Sequence, residues 1–245
     1  MAISLTRFER KGVAPLSELL RPRSIAVVGA SQDEESQGYR YLSHLRDFGF
    51  RGPIYPVNPR YGDILDLPCY PDVASLPADV DYVISCIPAA STPLLIEQCA
   101  QKGVKLIHFY TGRFSETGRQ PAALLEREVL KKTRQHQIRI LGPNCVGLYD
   151  AEVGISFKYN LPKQSGPVGF LSQSGGLATR IAMRGGTRGL RFTQVVSYGN
   201  GLDINESELL EHFAGDPQTR VIGAYIEGVR DGQRFARTLK DVASR

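Results

Sequence analysis

The sequence has no tryptophan, only two methionines, and four cysteines in 245 residues. Cys69, Cys86, Cys99 and Cys145 are widely spaced, and no C-x-x-C pair occurs. In a chain of this size that spacing argues against a disulfide framework and for a reduced, cytoplasmic setting. His44, His108, His136 and His212 lie far apart without metal-ligand spacing, so each reads as a surface or internally satisfied histidine. No apolar run approaches the length of a membrane span. The opening MAISLTRFERKG lacks an apolar core and a cleavage-like site, which excludes a secretory signal there. Charge of either sign is scattered, with a net of +5. Lys131, Lys132 and Arg134 form the only tight basic run, and Glu126 and Glu128 precede it. That run reads as a solvated helix face, so no nucleic-acid or membrane partner is expected. A mild positive balance suits anionic small ligands. The dinucleotide fingerprint G-x-G-x-x-G is also missing.

What remains is an α/β alternation in two units. Ser24-Ile25-Ala26-Val27-Val28 is continuous and β-branched, as a parallel strand buried on both faces requires. It ends at Gly29-Ala30-Ser31. A helix from Tyr39 to Phe48, a strand Pro53–Val57 and a strand Tyr82–Ile87 follow. A helix Pro93–Lys102 comes next, with Pro near its start and Gly103 after its end. Strand Lys105–Phe109, helix Pro121–Gln135 and strand Ile138–Leu141 close the first unit. In the long helix Leu124, Leu125, Val129 and Leu130 share a face, and Glu128 is placed to pair with Lys132. Residues 151–165 read as a linker. The second unit has strand Pro167–Leu171, a helix from Ser174 to Arg184 stopped by Gly185-Gly186, strand Phe192–Ser197 and helix Asn205–Ala214. Strand Val221–Ile226 and helix Gln233–Val242 complete it. Three parallel strands are few for this class, so the unit reads as short by at least one strand.

Alternation of this kind predicts parallel sheets with ligands at the carboxyl ends of the strands. Those ends carry Gly29-Ala30-Ser31, Asn58-Pro59-Arg60, Ile87-Pro88, Thr111-Gly112 and Asn144-Cys145. Gly29 after a strand lets a backbone approach an anion at a helix start. The second strand ends in Asn58 and Arg60 rather than in an acid. That argues against NAD and suits a phosphate near a ribose, although an Asn-Pro turn with a surface arginine reads equally well. Asn144-Cys145 is either a packed turn with a buried thiol or the lining of a site. No adjacent base marks Cys145 as a nucleophile. Ser174-Gly175-Gly176 is either a plain helix cap or an anion seat. Glycine weakens a helix start, so a pair of them makes sense where an anion must touch the backbone. Glu227, at the end of an apolar strand, is either a solvated or capping acid or a group that orients a histidine or cation.

Taken in order, these segments resemble the NDP-forming acyl-CoA synthetases, the superfamily of the succinyl-CoA synthetase α subunit and ADP-forming acetate–CoA ligase. The matching stretches are Ser24–Ser31, Tyr55–Pro59, Phe114–Gly118, Ile140–Cys145, Leu171–Gly176, Gly199-Asn200 with Asp203, and Tyr225–Gly228. The resemblance implies a Rossmann-like CoA-binding domain over residues 16–150, after an N-terminal extension (1–15). A linker (151–165) and a flavodoxin-like, succinyl-CoA synthetase-type ligase domain (166–245), itself incomplete, would follow. By similarity Ser31, Gln32, Val57, Asn58, Pro59, Arg60, Pro88, Asn144 and Cys145, with Gly29, line a coenzyme A site. Ser174, Gly175 and Gly176 open the phosphate-holding helix, and Glu227 matches the acid that positions a phosphohistidine. That histidine would fall beyond Arg245. ATP or ADP with Mg2+ would enter only through an ATP-grasp domain or β subunit. The implied partners are CoA, a small carboxylic acid and that nucleotide part, in a homo- or hetero-oligomer. This chain by itself is expected to be inactive. Asp33-Glu34-Glu35 and Gly201 depart from the family pattern, and Thr111-Gly112-Arg113 replaces the usual Ser-Ala-Gly. Competing readings are a non-catalytic CoA-binding regulatory module, such as that fused to protein acetyltransferases, and an NAD(P)-binding oxidoreductase or redox sensor.

Overall fold

The computed structural model describes residues 13–244, so positions 1–12 of the expected N-terminal extension lie outside the described residues. Helix α1 (Leu16–Leu19) leads into strand β1 (Ile25–Val28). Side chains alternate along β1: Ile25 and Val27 enter one core, Ala26 and Val28 the other. Both faces are therefore covered, as the unbroken apolar run demands. Helix α2 (Gln37–Phe48) starts at Ser36, whose Oγ accepts the Tyr39 N–H, and ends at Gly49. Strand β2 (Ile54–Val57) is followed by a small hairpin of β3 (Asp63–Ile64) and β4 (Leu67–Pro68). Strand β5 (Tyr82–Ser85), helix α3 (Thr92–Gln101), strand β6 (Leu106–Phe109), helix α4 (Gln120–Gln135) and strand β7 (Arg139–Leu141) complete the first sheet. Its order is β2-β1-β5-β6-β7, parallel throughout. The order reverses between β1 and β5, which opens a crevice at their carboxyl ends.

The second sheet contains strand β8 (Gly147–Tyr149), strand β9 (Val168–Ser172), strand β10 (Phe192–Ser197) and strand β11 (Val221–Tyr225). Helices α5 (Gly175–Thr187), α6 (Glu206–Gly215) and α7 (Gly232–Ala243) alternate with them. The order is β11-β9-β10-β8, with β8 antiparallel to β10 and the other pairs parallel. The second sheet thus begins ahead of the segment read as a linker. One apolar core runs from Leu42 and Leu45 of α2 through Tyr149 and Phe157 to Phe170 and Val195, so the two sheets share it.

Three local expectations are corrected. Helix α5 passes through Gly185 and Gly186 instead of stopping there. A Cβ on Gly185 would lie 3.1 Å from Leu190 and 3.2 Å from Phe192, and one on Gly186 would lie 2.6 Å from Pro162. These glycines admit neighbours rather than end the helix. Lys132 pairs with Glu97 of α3 at 2.5 Å, not with Glu128. Leu124 is 54% exposed, and the buried position on that part of α4 belongs to Glu126. Glu126 accepts both the N–H and the hydroxyl of Ser115.

Polar ties fix one unit on the other. Arg139 Nε donates to Asp203 Oδ2 at 2.6 Å and a terminal nitrogen donates to Glu208 at 2.7 Å, in a pocket where Arg139 is 5% exposed. The Ile140 N–H also donates to Asp203. Backbone bonds from Asn200, Leu202 and Ile204 to Pro143, Gly142 and Ile140 zip the two segments together. Across the core, Gln194 donates to the buried Asp150 at 2.8 Å and accepts from His212.

Candidate functional site

The strand ends of the first sheet and the start of α5 meet at a cleft of about 590 Å³. Its walls are Gly29, the first turn of α2 from Ser36 to Gly38, Cys86, the run Tyr110–Arg113, the run Asn144–Val146, and Gly175-Gly176. The loops after β7 and β9 therefore face each other across one cavity.

Gly29 has φ +84, a conformation glycine adopts freely. The Gly29 and Ala30 N–H groups bond to the Val57 carbonyl, which folds the β1 loop onto β2. Gly38 permits the next contact: a Cβ there would lie 2.1 Å from the Gly29 carbonyl oxygen. The first turn of α2 is thus pressed against the loop, and Ser36, Gln37 and Gly38 line the cleft. Such a helix start favours an anion. On the opposite wall Ser174 caps α5, its Oγ accepting the Leu177 N–H. Gly175 sits against Val146, where a Cβ would approach to 3.0 Å. Around Gly176 there is open space apart from the Ser174 hydroxyl at 3.9 Å. The two glycines thus have separate reasons: close approach of the units, and exposure of the helix start.

Cys145 is buried, with Sγ 3.9 Å from the Phe109 carbonyl. Burial pushes its thiol well up, and pushes that of Cys86 up to about 12. Neither thiolate is available near neutral pH, so both line the wall and do no nucleophilic work. Beneath them His108 donates from Nε2 to the Cys145 carbonyl at 3.0 Å and stacks on Tyr82. Burial lowers His108 to about 4, so it is neutral.

The remaining candidate residues stand around this cavity without lining it. Asn58 Nδ2 donates to the Ala30 carbonyl at 2.6 Å, and its Oδ1 accepts the Arg60 N–H. Asn58 therefore ties the β1 and β2 loops, leaving Pro59 and Arg60 exposed at their rim. Val57 is buried as a packing residue. Ser31 Oγ accepts the Asp33 N–H, and Gln32 donates to the Asp63 carbonyl. Pro88 is exposed at the turn after β5. Of the acids in the first loop, Glu35 pairs with Arg40 and Glu34 accepts from Tyr39, and none lines the cleft. Glu227 lies at the exposed end of β11. Its N–H and that of Gly228 both donate to Gln173 Oε1, so Gln173 braces this turn to the start of α5.

Three groups escape a reading by motif. Glu116 accepts the N–H groups of Arg113 and Phe114 and the Asn200 side-chain amide at 2.8 Å. Asn200 in turn reaches Asn144 and, through its carbonyl, Arg230. Arg113 enters the cleft wall itself. The pairing of Phe114–Gly118 with Gly199-Asn200 in the resemblance was the available signal, but only the fold joins them. Among the described residues no group of three or more His, Cys, Asp or Glu could hold a metal ion. None of their helices is long and apolar enough to cross a membrane.

The sequence matches the CoA binding domain family over residues 23–151 and the succinyl-CoA ligase like flavodoxin domain over residues 165–245. It is 37% identical to acetate–CoA ligase (ADP-forming) I of Archaeoglobus fulgidus, over 94% of this chain and 33% of that protein. It is 36% identical to the α subunit of acetate–CoA ligase (ADP-forming) I of Pyrococcus furiosus, over 94% of this chain and 51% of that one. The fold resembles the dinucleotide-forming acetyl-coenzyme A synthetase 1 of Ca. Korarchaeum cryptofilum, solved with phosphate and ADP, at a TM-score of 0.85 and 36% identity. That match covers 94% of this chain and 49% of the other. The chain spans about a third to half the length of these relatives.

Proposed function

The chain belongs to the CoA binding domain family, and we propose that it forms the CoA-binding and ligase region of an NDP-forming acid–CoA ligase. One observation carries the proposal: a single cleft joins the switch point of the first sheet to the open start of α5. The fit to CoA rests on the glycine cradle at Gly29 and Gly38, the α2 N-terminus behind it, and a wall with no carboxylate among its described residues.

In this reading the α2 start and Gly29 hold the pyrophosphate, with Ser31 and Gln32 shaping the loop. Val57, Asn58 and Pro59 border the adenosine end, where Arg60 meets the 3′-phosphate as a guanidinium suits. Pro88, Asn144 and Cys145 border the pantetheine arm. CoA supplies the thiol that displaces phosphate from an acyl phosphate. Ser174, Gly175 and Gly176 hold the phosphoryl group at the helix start, where N–H groups and the dipole stabilise its charge. Glu227 orients a histidine from a further segment, which takes the phosphoryl group from ATP, leaving ADP, and passes it to the carboxylate of the acid to form the acyl phosphate. ATP or ADP with Mg2+ enters through an ATP-grasp domain or β subunit in the assembled enzyme, in the cytoplasm.

The test uses the full-length ligase with its nucleotide-binding part. Continuous ADP release over many turnovers should require CoA and a carboxylic acid together. Release of AMP and pyrophosphate, or continuous turnover independent of CoA, would refute the proposal.

A further inference from the structure

Among the described residues that line the cleft, Arg113 is the one that carries a formal charge. Its position is unusual for arginine. The backbone has φ +72, which glycine adopts freely and a branched-Cβ or long side chain adopts at a cost. Glu116 holds it there by accepting the Arg113 and Phe114 N–H groups, and Phe114 beside it is fully buried. Gly112 is pinned as well, since a Cβ on it would lie 2.9 Å from Glu116 and 3.2 Å from Asn144. The loop thus fixes an exposed arginine at a place where the backbone favours glycine. Among the described residues no carboxylate pairs with its guanidinium. Arg40, near the same cavity, is by contrast neutralised by Glu35. Residues held in sparsely populated conformations at a cleft wall are candidates for a functional role.

We propose that Arg113 selects a carboxylic acid that carries a second anionic group. This rests on the ligase reading above. Both helix starts in the cleft serve as seats for phosphate, and Arg113 belongs to neither. It follows β6, two strands across the sheet from β1, the strand that leads into the Gly29 loop. Its neighbour Gly112 lies against Asn144, and its own N–H is held by Glu116, which Asn200 of the second unit also reaches. An acid activated near α5 would extend toward this guanidinium. A carboxylate at its far end would form a paired, charge-assisted contact in a wall with no other cation among its described residues.

The full-length ligase, wild type and Arg113→Gln, tests this with two acids of equal carbon number, succinate and butyrate, at saturating CoA and nucleotide. Wild type should show a higher kcat/KM for succinate. Arg113→Gln should lower the succinate-to-butyrate ratio by about 10- to 100-fold, the range for a lost hydrogen bond to a charged group. Arg113→Lys should recover part of it. Succinate binding to the CoA-saturated protein, followed by calorimetry, should weaken in parallel. Arg113→Gly, which relaxes the backbone, repeats the measurement if the glutamine variant misfolds. An unmoved ratio overturns the assignment. So does a tenfold loss of CoA affinity with the ratio unchanged, which would place the guanidinium on a CoA phosphate. A wild-type CoA titration run first separates the two readings: no CoA binding overturns the ligase reading, whereas CoA binding with an unmoved ratio overturns only the role of Arg113.

Discussion

Replacing Arg139 with methionine would remove the buried tie between the two units. The guanidinium reaches Asp203 at 2.6 Å and Glu208 at 2.7 Å, and the three side chains are 5%, 2% and 13% exposed. Methionine fills much of the space but leaves two carboxylates facing each other in a poorly hydrated pocket. Breaking such a pair from one side costs about 3–5 kcal/mol. In a chain of this size that lowers the melting temperature by roughly 6–20 °C. A triple variant, Arg139→Met with Asp203→Asn and Glu208→Gln, removes the stranded charge, while the amide oxygen introduced at position 203 still accepts the Ile140 N–H. It should recover most of the loss, because neutralising all partners is far cheaper than orphaning two. The loss should also reach the cleft. Asp203 anchors the stretch whose Asn200 holds Glu116 and Asn144, so CoA affinity should fall more in the single variant than in the triple. Chemical denaturation followed by circular dichroism and by tyrosine fluorescence measures the stability, and titration measures the affinity. A single variant within about 1 kcal/mol of wild type would refute the reasoning, because it would mean that water already screens this cluster.

Two further outcomes follow from packing and charge. Gly38→Ala places a methyl 2.1 Å from the Gly29 carbonyl oxygen, so the helix start must withdraw from the loop. Overpacking of this kind costs about 1–3 kcal/mol, and differential scanning fluorimetry with and without CoA should show lower stability and a smaller CoA-induced shift. Burial lowers His44 and His108 to about 4 from an ordinary 6.5. The unfolded chain therefore binds more protons between those values, so stability is full above pH 6.5 and is lost as the pH falls toward 4. Each histidine accounts for about 3 kcal/mol over that window. Denaturation midpoints measured from pH 7 to pH 4.5 should fall, and His108→Gln should flatten the curve; a slope unchanged by that variant would remove His108 from the account.

Much of the architecture was legible because parallel strands buried on both faces leave unbroken apolar runs. Val27-Val28, Val83-Ile84 and Leu106-Ile107 are of this kind, and their polar ends marked the edge where the cleft lies. Shorter pieces were not. Gly147-Leu148-Tyr149 becomes a strand only because β10 offers it a partner, so its register comes from the tertiary fold. The hairpin of β3 and β4 is two residues deep and leaves no periodicity to read. Gly185-Gly186 has the look of a helix stop, yet close packing on Pro162 and Phe192 explains both residues. In the cleft, the loops after β7 and β9 were each readable as a candidate site, because each joins an apolar strand to glycine. Arg113, Tyr110 and the Glu116–Asn200 contact were not readable as wall, since residues 84 positions apart meet only once both sheets are packed.

The central claim is that the cleft takes CoA with its 3′-phosphate at Arg60. Titration calorimetry with CoA and with dephospho-CoA, on wild type and on Arg60→Ala, tests it most directly. The account predicts saturable binding of CoA at one site per chain, weaker binding of dephospho-CoA, and a variant that no longer distinguishes the two. No binding at millimolar CoA would contradict the site, and a variant that loses affinity for both ligands equally would contradict the placement of Arg60.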